Sequence, residues 1–289
     1  MWRVLILVTG ATGTVGREVV SSLLKRGIAV RVGSRDPDKA ATFAREQTWN
    51  VEVAQFDYGD EASMREALRD VDGVFLVTTT TVHAPEAVLG PFLQVAKEAE
   101  VEHIVRLSGM RTLEEPSRLH REAEKLIEAS SIPYTHLRPN FFMQNFNTFY
   151  AKSIKKGGFY LPAGNGKVSF IDTRDVGEVA AVAFTETGHE GKTYTLTGGE
   201  ALTHGEVANV LSDVLGYKVT YVSLSDEQTY ESMRKLGRPD AAIAGIIDLY
   251  KPAKDGSAGK IGSETETLLG HAPTSFRQYA EDYKDVWTH

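Results

Sequence analysis

Cysteine is absent from this chain of 289 residues, so disulfides, thiolate metal sites and a cysteine nucleophile are all excluded. No apolar run approaches the roughly 20 residues needed to span a bilayer. The stretch from Val4 to Val8 is too short for a signal-peptide core and has no small-residue cleavage site behind it. These absences point to a protein of the cytoplasm with no membrane partner. Basic charge is in deficit, with a formal net charge of -7 and no run of Lys or Arg, so no nucleic-acid partner is expected. The eight histidines are scattered without His-x-x-x-His spacing, and Gly-x-Ser-x-Gly does not occur. Neither a metal site nor a serine-hydrolase elbow is therefore expected.

What is present is a rhythm. Short β-branched and aromatic runs at 3–8, 29–33, 51–56, 73–77 and 103–107 alternate with helical patterns at 15–26, 39–45, 61–69, 85–99 and 118–130. A sixth strand is expected at 134–137. Strand followed by helix, repeated five times, predicts right-handed crossovers and a Rossmann-type doubly wound parallel sheet, an α/β fold. After Pro139 the rhythm breaks, with glycine-rich turns near 157 and 164. Strands are expected at 168–171, 192–196 and 218–222, and helices from a cap at Asp175 and at 203–215, 226–236 and 240–250. The division implied is a dinucleotide-binding domain over 1–150. Residues 151–289 then form a smaller α/β substrate lobe interleaved with the last strands of the sheet.

The most specific motif is Val8-Thr9-Gly10-Ala11-Thr12-Gly13-Thr14-Val15-Gly16, set between strand one and helix one. Gly10 permits the tight turn, Gly13 lets the backbone approach a pyrophosphate, and Gly16 lets helix pack against strand. Amides of Thr12, Thr14 and Val15, with the helix dipole behind them, would hold the anion. The second strand ends in Ser34-Arg35-Asp36-Pro37. An acidic residue there binds the ribose hydroxyl of NAD, whereas arginine accommodates the 2′-phosphate of NADP. Arg35 supplies a permanently charged fork, with Ser34 and Lys39 as further donors, and Asp36 reads as a helix cap before Pro37. NADP(H) is therefore favoured over NAD(H). Asp57 either accepts from the adenine amino group or caps the following turn, and Thr78 and Thr79 line the carboxyl edge with backbone.

Together with SRDPDKA at 34–40, FDYGD at 56–60, RLSGM at 106–110, HREAEKLIEASSIPYTHLRPNFFMQN at 120–145 and FIDTRDVGEVAA at 170–181, the glycine turn resembles the NmrA-like branch of the atypical short-chain dehydrogenases/reductases. The resemblance runs over essentially the whole chain. It implies an NAD(P)-binding Rossmann domain with a small C-terminal lobe, acting as a monomer or homodimer. Members include quinone and dye reductases, and others that sense redox state or co-regulate transcription with little catalysis.

Ordinary short-chain dehydrogenases carry a Tyr-x-x-x-Lys pair on the helix after strand five. By the same resemblance, His120 falls at the lysine position and Pro116 at the tyrosine position. Alcohol–ketone chemistry by that pair is not expected, and sugar-nucleotide epimerisation is disfavoured with it. Hydride delivery to a quinone, dye or activated alkene remains, since protonation there can follow from water. His120 would bind the nicotinamide ribose or donate a proton, against a plain surface role on a charged helix. Ser108, at the family's serine position at the end of strand five, would hydrogen-bond substrate or nicotinamide, or else merely end the strand. Pro139 lies over the nicotinamide position, and Asn140, Phe141, Phe142 and Gln144 would wall a pocket for a flat apolar acceptor, or merely pack beneath the lobe. The competing reading is a non-catalytic NADP(H) sensor that acts through a protein partner.

Overall fold

The computed structural model describes residues 4–78, 85–110 and 118–288. The chain divides into two compact units. The first comprises 1–139, 173–196 and 267–269, and the second 140–172, 197–266 and 270–289.

In the first unit the expected alternation is realised as β1 (Leu5–Thr9), α1 (Gly16–Lys25), β2 (Ala29–Ser34), α2 (Pro37–Glu46), β3 (Glu52–Gln55), α3 (Glu61–Ala67), β4 (Gly73–Leu76), α4 (Pro85–Glu98), β5 (His103–Leu107), α5 (Arg118–Ala129) and β6 (Tyr134–Pro139). The chain then enters the second unit for α6 (Ala151–Ile154), β7 (Gly158–Leu161) and β8 (Lys167–Val168). It returns for α7 (Thr173–Thr185) and β9 (Lys192–Leu196). Seven strands form one sheet in the order β3-β2-β1-β4-β5-β6-β9, with every pairing parallel. The order reverses at β1, and crossovers on both sides place helices on both faces. One face is closed by a core of Leu5, Leu7, Phe56, Leu76, Phe92, Ile104 and Ile127. On α1 and α7 the backbones approach so closely that a Cβ on Gly177 would lie 2.6 Å from the Glu18 carbonyl carbon.

The second unit continues with β10 (Leu202–Thr203), α8 (His204–Leu215), β11 (Thr220–Ser223), α9 (Asp226–Lys235), α10 (Asp240–Asp255), the start of α11 (Glu264–Leu269), whose last three residues count with the first unit, α12 (Phe276–Asp282) and α13 (Asp285–Thr288). Two small sheets, antiparallel β10–β8 and parallel β11–β7, frame its core. Phe146 sits at the centre, edge-on to Phe159, Phe170 and Phe276, and its carbonyl accepts from Trp287 Nε1 at 2.9 Å.

Three expectations need correction. The passage between units falls after Pro139 rather than at 150, because 140–146 pairs with 169–172 of the second unit instead of extending the first. The strand expected at 168–171 is only Lys167–Val168. Asp175 lies inside the first turn of α7 rather than at its cap. Among the described residues no helix is long and apolar enough to cross a membrane.

Candidate functional site

The glycine turn is built as its spacing implies. Gly10 takes a φ of +64°, and its carbonyl accepts from Gly13 N at 2.9 Å. A Cβ on Gly13 would stand 3.1 Å from that oxygen, and one on Gly16 only 2.2 Å, an overlap no side chain tolerates. Val15 is the N-cap of α1 and makes no side-chain cap. Arg17 N donates to Gly13 O and Glu18 N to Val15 O, so the amides open to an anion are those of the turn just before them, with the dipole aligned behind. Thr9 Oγ1 anchors the turn to β4, donating to Phe75 O at 3.0 Å and accepting from Val77 N at 2.8 Å. Arg17 folds back over the turn, its guanidinium reaching Gly13 O and Thr12 O at 3.3 and 3.4 Å and lying over the Phe43 ring. Sequence reasoning passed over Arg17, since a charged residue one turn into a helix carries no signal of its own.

At the end of β2, Asp36 caps α2 by accepting from Lys39 N at 3.0 Å, with Pro37 in the first turn. Its carboxylate is thereby spent on the helix. Ser34 Oγ accepts from Asp36 N and donates to Asp36 O, so its hydroxyl is largely turned inward. Arg35 and Lys39 are exposed, and Arg35 has no hydrogen bond or ion pair among the described residues. Asp57 accepts from Gly59 N at 2.9 Å, a local turn, while Asp60 caps α3.

At the carboxyl ends of β5 and β6 lies a buried polar network. Ser108 Oγ donates to Glu124 Oε1 at 2.6 Å, and Arg138 grips the same carboxylate with two bonds of 2.9 and 2.6 Å. Arg121 adds a third guanidinium contact at 3.2 Å. Burial alone would raise the Glu124 carboxyl, but the hydrogen bonds from Arg138 and Ser108 outweigh it and bring it down to about 2. Arg106 is 1% exposed, and its Nη2 reaches Thr78 Oγ1 at 3.5 Å and His120 Nδ1 at 3.4 Å. Burial lowers the guanidinium to about 10. His120 is half-buried, and burial first, then the charge of Arg106, push it below the usual histidine value. The sequence had given Arg106, Glu124 and Arg138 no role. The available signal was charge inside β5 and β6, where both faces of a doubly wound sheet are normally apolar.

Glu124, Glu128 and His136 place ligand atoms within 4.8 Å of one another. Both carboxylates already accept from guanidinium groups, Arg121 on each and Arg138 on Glu124, which supply the positive charge a cation would bring. Thr79 and Pro116 lie outside the described residues. Pro139 ends β6, and its carbonyl accepts from Met110 N at 3.1 Å.

In the second unit, Asn140 is buried with its Nδ2 near three acceptors, Ser169 O, Ser169 Oγ and Ala258 O, at 2.7 to 3.1 Å. Gln144 Nε2 donates to Asp172 Oδ1 at 2.7 Å. Both amides help hold 140–145 in place. Phe141 stacks on Tyr250 with ring centroids 5.6 Å apart, and Phe142 bridges to Ile171. The two rings are only partly buried.

The profile of the NmrA-like family matches residues 3–279. An NAD(P)H azoreductase from Xenophilus azovorans is 34% identical over 284 residues, 96% of this chain and 97% of that protein. The crystal structure of an NADPH-dependent quinone oxidoreductase from Escherichia coli, complexed with NADPH, is 30% identical and superposes with a TM-score of 0.84, covering 98% of this chain and 99% of that one. The triphenylmethane reductase of a Citrobacter species, complexed with NADP(H), is 27% identical with a TM-score of 0.83, covering 96% and 99%.

Proposed function

The chain belongs to the NmrA-like family, and from that premise we propose that it is an NADPH-dependent reductase of a small apolar acceptor such as a quinone, a dye or an activated alkene. One observation carries the reading. An uncapped helix start follows the glycine turn, and at the end of β2 Arg35 stands exposed while Asp36 is withdrawn into a cap. The residues present fit the cofactor, because glycine at 13 and 16 lets the turn close on Gly10 O where a Cβ would collide, which leaves the backbone amides of the turn to meet a pyrophosphate.

When bound, the dihydronicotinamide supplies the hydride. The amides of Thr12, Thr14 and Val15 hold the pyrophosphate. Arg35, helped by Lys39, holds the 2′-phosphate, so NAD(H) is the weaker cofactor. Thr78 and Pro139, at the carboxyl ends of β4 and β6, would line the nicotinamide end with backbone. His120 is neutral at neutral pH, since burial and Arg106 depress its pKa. It serves as a hydrogen-bonding group toward cofactor or acceptor rather than as a store of protons. Ser108 is oriented by the Glu124 carboxylate and has the same kind of role. The acceptor takes its proton from water, which suits quinones, azo compounds and conjugated alkenes. The segment 139–146 selects among acceptors through Phe141 and Phe142, and relatives named for azo compounds, quinones and triphenylmethane dyes support that class.

The test is NADPH oxidation followed by absorbance against a panel of quinones, dyes and activated alkenes, with NADH in parallel. Acceptor-dependent oxidation that favours NADPH is expected. Arg35→Ala should weaken NADPH binding about tenfold, one charge-assisted hydrogen bond discounted for exposure, and leave NADH unchanged. Tight NADPH binding with no oxidation above buffer for any acceptor would replace this reading with that of a redox sensor.

A further inference from the structure

We infer that Arg106 is a positioning residue that holds His120 as the neutral imidazole with its proton on Nε2, so that the ring offers a donor N–H beside Gly109 at the end of β5. The inference rests on the reductase reading only for what that N–H serves. The state of the ring is a property of the chain alone.

A guanidinium carries five N–H donors and no acceptor. Arg106 Nη2 lies 3.4 Å from His120 Nδ1, a long hydrogen bond, so exclusion decides more than bond strength. A proton on Nδ1 would point at a cationic N–H from the same low-dielectric interior, whereas a lone pair on Nδ1 accepts from it. The proton therefore sits on Nε2. The opposite edge of the ring faces Gly109, where a built Cβ would come within 3.7 Å of Cδ2 and 3.8 Å of Nε2. Two charged groups act on the ring among the described residues: Arg106 from β5, which disfavours imidazolium, and Glu124 from its own helix, which favours it. Glu124 is already bound by Arg138, Arg121 and Ser108, so Arg106 prevails.

A merely structural role accounts poorly for Arg106. Its Nε and Nη1 are buried without a hydrogen-bond partner among the described residues, and it has no direct ion pair there. A buried cation left in that state costs stability, and an apolar residue of similar volume is often neutral or stabilising in such a place.

The test is long-range proton–nitrogen NMR of the full-length protein labelled at histidine, with His120 assigned by the loss of its signals in His120→Gln. The wild-type ring should show a protonated Nε2 and a bare Nδ1 at pH 7. Arg106→Met should keep or raise the melting temperature, mix the two tautomers and move the His120 titration upward. Arg106→Lys, which keeps charge and donors, should restore the single tautomer. In acceptor assays Arg106→Met should lose about tenfold in kcat while NADPH affinity holds. A wild-type ring protonated on Nδ1, or charged at pH 7, overturns the inference even if no variant folds. So does an Arg106→Met protein that melts lower while its His120 spectrum and titration stay unchanged. Failure of acceptor turnover in the wild type, with the expected tautomer present, would count against the reductase reading and leave the inference standing.

Discussion

Replacing Glu124 by glutamine removes one negative charge and leaves the shape of the side chain almost unchanged. In the folded protein that carboxylate is fully buried and accepts from Ser108, from Arg138 twice and from Arg121. Glutamine keeps one acceptor oxygen and turns an amide group toward a guanidinium, so the two-pronged grip of Arg138 is lost. Two routes give the size of the effect. The carboxyl stands at about 2 against an ordinary 4.5, which at about 1.36 kcal/mol per tenfold change is about 3 kcal/mol. Breaking one partner of a buried ion pair costs about 3 to 5 kcal/mol. The two agree on about 3 kcal/mol at pH 7, and urea denaturation followed by circular dichroism measures it. The depressed pKa also sets a pH window. The stabilisation is fully present above pH 4.5 and is lost as pH falls from 4.5 toward 2, because the unfolded carboxyl takes its proton first. Glu124→Gln should therefore flatten that part of the wild-type pH profile. A loss below about 1 kcal/mol, or an unchanged slope between pH 4.5 and 2, would refute the account of the network.

Gly16→Ala should abolish NADPH binding in titration calorimetry, since its Cβ would lie 2.2 Å from Gly10 O, while far-ultraviolet circular dichroism stays close to wild type. His204 is enclosed by Phe146, Phe159, Phe170, Tyr221 and Tyr250, and burial lowers it from 6.5 to about 4. Below pH 6.5 the unfolded chain binds that proton and the folded one does not, so stability falls from pH 6.5 to 4, by about 3 kcal/mol for this one group. His204→Phe should remove that part of the acid sensitivity in denaturation midpoints measured across the range, and an unchanged slope would show that the ring is not held neutral.

Much of the first unit was legible because its rules are short-ranged. Strand periodicity, the Asp36–Pro37 cap and the glycine turn each depend on residues within a few positions, and β1 to β6 formed close to their expected ranges. The second unit was less legible for the converse reason. Asn140 is tied to Ala258 across 118 residues, and Phe146 to Trp287 across 141. No local pattern announces such partners. Periodicity also could not say that β9 would return to the sheet beside β6 after an excursion of more than thirty residues.

The chemistry divides along the same line. The cofactor half of the candidate site is backbone geometry, and glycine at 10, 13 and 16 writes that geometry directly into the chain. Alternation along β5 places Arg106 on the same face as Ser108, yet it does not say what either will meet. Only tertiary structure brought His120 from α5 against Arg106, and Arg138 from β6 against Glu124, because a buried charge takes its state from whichever groups the fold sets within a few ångströms of it.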